Sequence, residues 1–316
     1  MMKEIKFSIL FLLFFSGSLL LLNYYTEGDQ IYYHKYYNAV KDVNFFGVPF
    51  VAHATISSGE PISQYVLWLG AKLGVSKNIW VSFLNVILLF GIWCFLKKYN
   101  ARRYLFLFIF TNFYLLVLLT GAERLKIAYI FLVYAFVFSG KVRFIILSLM
   151  PMAHFQTLVL ISVFFVQSTV IPFKTMLSEF RVKASNLLML AMVIVLLLVF
   201  MVFFGSNLLV KVLAYLNFSN FFSHLNVILL LFVALMCSRK PLTIVICLLV
   251  FLPFVTLLGP ERINMMAVSF VIGYFLIYGY KNVIVFNFLL MYLSLKSLPF
   301  VYNIFVHNNG FGGFLF

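Results

Sequence analysis

Long apolar runs, separated by short connectors that hold most of the basic residues, leave this chain few folds to choose from. Runs such as 7–22, 79–96 and 283–300 approach the roughly 20 residues that carry a helix across a bilayer. In hydrocarbon every backbone N–H and C=O must find its partner within the protein, so runs of this kind are helices. Only 10% of the 316 residues are charged, against about 25% in a soluble domain, and 65% are apolar. The net charge of +15 therefore reads as membrane orientation and not as nucleic-acid binding. Cys94, Cys237 and Cys247 all fall in apolar stretches, without the spacing of a disulfide framework or a zinc site.

Taken in order, Lys3 and Lys6 place the N-terminus in the cytoplasm, and 7–22 is an uncleaved first span. The next stretch, 23–63, is acidic and rich in tyrosine, as suits an outer-face loop along the interface, which continues to about residue 78. Its segment 62–75, with Lys72, is expected as an interfacial helix. Span 79–96 ends at Lys97, Lys98, Arg102 and Arg103, a cytoplasmic connector. Spans 104–120 and 125–139 follow, bringing the chain back to Lys141 and Arg143. A simple span over 144–166 would put Lys174, Arg181, Lys183, Arg239 and Lys240 on the outer side. A re-entrant hairpin at about 144–172, turning near Pro151 to His154, keeps them all in the cytoplasm. Further spans are expected at 187–204, 224–237, 242–258, 263–280 and 283–300, with a second outer loop at 205–223. The expected fold is all-α: a polytopic integral membrane helical bundle, one transmembrane domain with about nine full spans plus one re-entrant hairpin.

Two copies of one pattern stand out against this scarcity of charge. Gly121-Ala122-Glu123-Arg124 and Gly259-Pro260-Glu261-Arg262 each lie between two apolar runs, although the chain has only eight acidic residues. Ionisable groups at membrane segments are costly and mark functional sites; the alternative is that each pair caps a helix while its Arg snorkels to headgroups. In the expected topology both pairs face outward, and two guanidiniums at one aqueous-lipid boundary suit a diphosphate. Glu123 and Glu261 would hold their arginines or act as bases, and His154, in a broken membrane element, is a second candidate base. Its alternative role is a buried histidine bonded to a carbonyl freed by Pro151. Asp29 and Glu60 are weaker candidates in the outer loop. His34, His53, His224 and His307 lack a second ligand at useful spacing, so neither a metal nor a cofactor is expected. No glycine-rich phosphate loop or nucleophile elbow is present.

Five short motifs occur in order: Gly28-Asp29-Gln30-Ile31-Tyr32-Tyr33, Glu60-Pro61-Ile62-Ser63-Gln64-Tyr65, Glu123-Arg124-Leu125, Ala153-His154-Phe155 and Glu261-Arg262-Ile263. Together they resemble the EpsG family of Wzy-type polysaccharide polymerases over most of the chain. Pro151 and Met152 depart from the family's pattern before the histidine. The resemblance implies a membrane glycosyltransferase of the bacterial inner membrane that makes O-antigen or exopolysaccharide. Its substrates would be undecaprenyl-diphosphate-linked oligosaccharides, its setting the lipid bilayer, and a chain-length regulator protein a candidate partner. Arg124 and Arg262 would bind diphosphate, His154 or Glu123 would act as base, and Asp29, Glu60, Tyr32 and Tyr33 would contact sugars. Rival readings are a lipid-linked glycan flippase or exporter, an O-antigen ligase and a glycan acyltransferase. The limited extent of the Glu-Arg repeat argues against two equivalent transport halves.

Overall fold

The computed structural model of the protein describes residues 2–164, 166–167, 213, 221–280 and 282–311. The expected span 187–204, most of the 205–223 connector and the far end of the hairpin lie outside them. Among the described residues the regular structure is helical, and one isolated antiparallel bridge joins Ser238 to Tyr280. Four helices are long and apolar enough to cross a membrane, Lys77–Lys98, Pro241–Leu258, Pro260–Tyr278 and Val283–His307, or up to six if each of two bent pairs is one span. The chain divides into two compact units, Met1–Phe155 with Leu290–Phe316, and Gln156–Leu289.

In the first unit, α1 (Met2–Tyr24) is the expected first span. After a sharp turn comes α2 (Asp29–Val40), 101° away in direction. Gly28 makes the turn at φ +61, a conformation open to glycine at little cost. The stretch expected as a loop is largely helical: α2 is followed by α3 (Val48–Ile56) and α4 (Pro61–Lys72). The tyrosines expected at the interface divide by face. Tyr33, Tyr36 and Tyr37 recur at helical spacing and are buried, while Tyr24 and Tyr32 are exposed. Tyr36 donates to the Gln64 carbonyl (3.0 Å) and Tyr37 to that of Val75 (2.9 Å), tying α2 to α4 and to the loop after it. Val40, Val48, Ala52, Leu67 and Val81 complete this core.

The second span, α5 (Lys77–Lys98), packs on α1 and is followed by α6 (Arg103–Phe110) and α7 (Phe113–Thr120). These two, expected as one span, meet at a 52° bend. Asn112 makes the break, its side chain accepting from the Tyr114 N–H (2.8 Å) to cap α7. Next, α8 (Glu123–Val137) packs against α5, α7 and α9 (Gly140–Ala153). These two helices, 15 and 14 residues long, lie where span 125–139 and the first arm of the hairpin are expected, and each is shorter than the roughly 20 residues of a full span. A Cβ at Gly91 would come within 2.9 Å of the Tyr134 ring, so a glycine lets α5 and α8 approach. Pro151 does not end α9: the helix runs on to Ala153, and the break falls at His154, which is extended. An apolar helical stretch, Phe155–Phe164, follows.

The second unit contains α10 (Leu225–Cys237), α11 (Pro241–Leu249), α12 (Phe251–Leu258) and α13 (Pro260–Tyr278). Its packing is apolar and aromatic, with Phe251, Phe270 and Tyr274 in contact. The final helix, α14 (Val283–His307), begins there, and its later part belongs to the first unit. There Phe300 packs edge-on against Phe113 (5.5 Å) and Tyr25 (6.4 Å), and the Asn308 carbonyl accepts from the N–H groups of Thr26 (3.1 Å) and Glu27 (3.0 Å).

Candidate functional site

Three of the residues singled out from sequence meet inside the first unit. Arg124, in the first turn of α8, gives Nη1 to Glu60 Oε2 at 2.7 Å. His154, at the end of α9, sets its Nδ1 3.1 Å from Glu60 Oε1. Tyr33 adds its hydroxyl, which accepts from Arg124 Nε at 3.3 Å. Residues of α8 and the end of α9 therefore meet on one carboxylate, with α2 behind the arginine, and the groups are almost closed off: Glu60 is 5% exposed, His154 2% and Arg124 8%.

The local sequence explains how Glu60 comes to be aimed there. It occupies the N-cap position of α4, with Pro61 starting the helix, yet its side chain makes no capping bond. Ser57, in the left-handed region, turns the chain after α3. Ser58 donates its hydroxyl to Glu60 Oε2, and Gln64 Nε2 holds the Ser58 carbonyl (3.0 Å). Burial alone would push the Glu60 carboxyl up. The Arg124 guanidinium and the hydrogen bonds from His154 and Ser58 reverse this and hold it well below the usual carboxylate range. With Oε1 a charged acceptor, Nδ1 is the ring nitrogen of His154 that presents a proton to it.

Glu123 does not hold its neighbour Arg124, contrary to expectation. Adjacent residues on a helix point about 100° apart, so the two side chains reach different partners. Glu123 Oε2 accepts from Lys126 Nζ (2.8 Å) and Oε1 from Gln30 Nε2 (2.9 Å). The Gln30 amide also donates to the Thr120 carbonyl and accepts from Lys77 Nζ. Lys126 further donates to the Leu119 carbonyl (2.9 Å) and is 0% exposed. Sequence reading passed over Gln30, Lys77 and Lys126. Lys126 sat inside a run taken as apolar, and the signal that could have found it is its i,i+3 spacing from Glu123.

The other expected residues lie elsewhere. Asp29 opens α2 and is exposed, and Tyr32 is 58% exposed on the face of α2 away from Tyr33. Glu261 and Arg262 belong to the second unit, on the first turn of α13, where Glu261 is exposed and Arg262 half-buried. One parallel with the first pair does hold. Each Glu-Arg pair starts a helix after two short helices, α6 and α7 in one case, α11 and α12 in the other. Among the described residues no three of His, Cys, Asp and Glu come together to hold a metal ion. Comparison with protein-family models, with curated proteins and with solved structures finds no match to this chain.

Proposed function

We propose that this protein is a polysaccharide polymerase of the bacterial inner membrane. It moves a growing glycan from undecaprenyl diphosphate onto a lipid-linked repeat unit at the outer face, within a bundle of about nine spans and one re-entrant hairpin. The observation that carries the reading is the meeting of Glu60, Arg124 and His154. They come from three separate motifs of the resemblance, 30 to 94 residues apart in the sequence. Tyr33, from a fourth motif, joins them.

The chemistry follows from the bonds. Glu60 fixes the imidazole through Nδ1, and Nε2 takes the proton from the attacking hydroxyl of the repeat unit. That oxygen bonds to the anomeric carbon as the bond from the same carbon to the lipid diphosphate breaks. The departing diphosphate gains negative charge, which a positioned guanidinium stabilises. Arg124 spends Nη1 and Nε on Glu60 and Tyr33, so the Nη2 edge is the one it offers to a phosphate oxygen.

The test is the size distribution of surface and lipid-linked glycan in cells lacking the protein, complemented with variants. His154→Asn keeps an N–H donor in place of Nδ1 but supplies no base. It should leave the amount of folded protein in the membrane unchanged and lower polymer formation roughly a hundredfold or more, leaving cores with a single repeat. A normal ladder in His154→Asn would overturn the base role. Bare cores with long chains still on the carrier would mean a ligase, and units trapped on the cytoplasmic side a flippase. Arg262→Ala in the same assay reads out whether the second Glu-Arg pair is needed.

A further inference from the structure

A cavity of about 490 Å³ opens in the first unit where the end of α1 meets the start of α5. Its volume lies in the range of small-molecule sites, roughly 300–1,000 Å³. Its lining includes Lys41, Lys77, His34, Asn23, Asn78 and Ser76, and no carboxylate. None of Glu60, Arg124 and His154 lines it, so the inference stands independently of the polymerase reading.

Lys77 is the informative residue. It is 5% exposed, yet its ammonium meets the neutral Gln30 amide and not a carboxylate. Gln30 stands between it and Glu123, accepting from the cation with Oε1 and donating to the anion with Nε2. A buried cation without a contacting counter-ion is costly, and here it borders an open cavity. Two further features point to a ligand. Asn78 Oδ1 is buried without a hydrogen-bond partner, an acceptor left for an incoming hydroxyl. The first turn of α5 also forms part of the wall, and its N-cap Ser76 makes no capping bond, so the positive end of a 22-residue helix faces the space. The apolar lining includes Leu19 on α1 and Ile79 on α5, with Ala71 and Val75 beside them. A cationic, donor-rich wall beside hydrocarbon, at the ends of two spans, matches one kind of molecule.

We propose that this cavity binds the phosphate headgroup of an amphiphile, with Lys77 and Lys41 contacting the phosphate and Leu19 and Ile79 the start of its hydrocarbon chain. The test uses the full chain in nanodiscs of phosphatidylcholine alone, titrated with dodecyl phosphate, inorganic phosphate or dodecanol while thermal unfolding is followed. Dodecyl phosphate should raise the melting temperature saturably, and the other two should act at concentrations at least roughly tenfold higher. Lys77→Met and Lys41→Ala should each move the dodecyl phosphate midpoint up roughly tenfold. Lys41 is exposed, so its variant carries the test even if Lys77→Met does not fold. Adding phosphatidylglycerol to the nanodiscs separates two sources of the phosphate. Loss of the dodecyl phosphate response assigns the site to bulk anionic lipid, and its persistence to a dedicated amphiphile. Unchanged midpoints in both variants, or dodecanol as effective as dodecyl phosphate, would overturn the proposal.

Discussion

Glu60 shows how much one buried carboxylate can be asked to do. It accepts from a guanidinium, an imidazole and a hydroxyl at once, and a group so engaged is stabilised in its charged form. Its pKa is depressed on folding, so its contribution to stability is present above the ordinary value of 4.5 and is lost as pH falls through the lower folded value. The melting temperature of the purified protein should therefore fall on acidification below that value, and Glu60→Gln should make the slope shallower. If the slope is unchanged in Glu60→Gln, Glu60 is not held this way. The sequence exposed Glu60, Arg124 and His154 as separate candidates, because charge is conspicuous among apolar residues. It could not show that they touch, since the contacts span 64 and 94 positions and no local period encodes them. Tyr32 and Tyr33 illustrate the opposite case: neighbours in one motif, they part company because a helix turns successive side chains to different faces.

At the scale of the element, α8 is set by how its first turn disposes of charge. Glu123 at the helix start is favoured by the positive end of the dipole and closed by Lys126 one turn on. Removing one partner strands the other in an apolar bundle, a loss of about 3–5 kcal/mol. Lys126→Met should destabilise by that order in reversible unfolding. Adding Glu123→Gln should restore most of it, a coupling that a double-mutant cycle measures. Simple additivity would show the pair is not coupled. Apolar runs made most helices of the described residues legible. The bend between α6 and α7 was less so, although Thr111-Asn112 was the polar interruption that marked it. Of the helices in the tyrosine-rich stretch, α2 was hidden for a different reason: its buried face is mostly tyrosine and glutamine, residues that hydropathy does not count as core. Close contacts give a further check. A Cβ on Gly70 would lie 2.4 Å from the Trp80 ring, so Gly70→Ala should force α4 off α5 at a cost of about 1–3 kcal/mol and change Trp80 emission.

For the whole molecule, orientation is the property that the basic connectors encode most directly. On the expectation that Lys97, Lys98, Arg102 and Arg103 at one end of α5 are cytoplasmic, the cavity at its other end faces outward. In a cysteine-free background, Lys72→Cys should react with a membrane-impermeant maleimide on intact cells and Ala101→Cys only after permeabilisation. The reverse pattern would invert the topology and remove the outer-face reading with it.

The first unit is not continuous along the chain: its opening residues are completed by Leu290–Phe316. The Asn308 carbonyl that receives the Thr26 and Glu27 N–H groups, and the Phe300 ring against Tyr25 and Phe113, come from α14 and the turn after it. The bundle around Glu60 therefore cannot close during synthesis until the ribosome has passed through residues 156–289, so its opening helices must persist in a half-assembled state in the meantime.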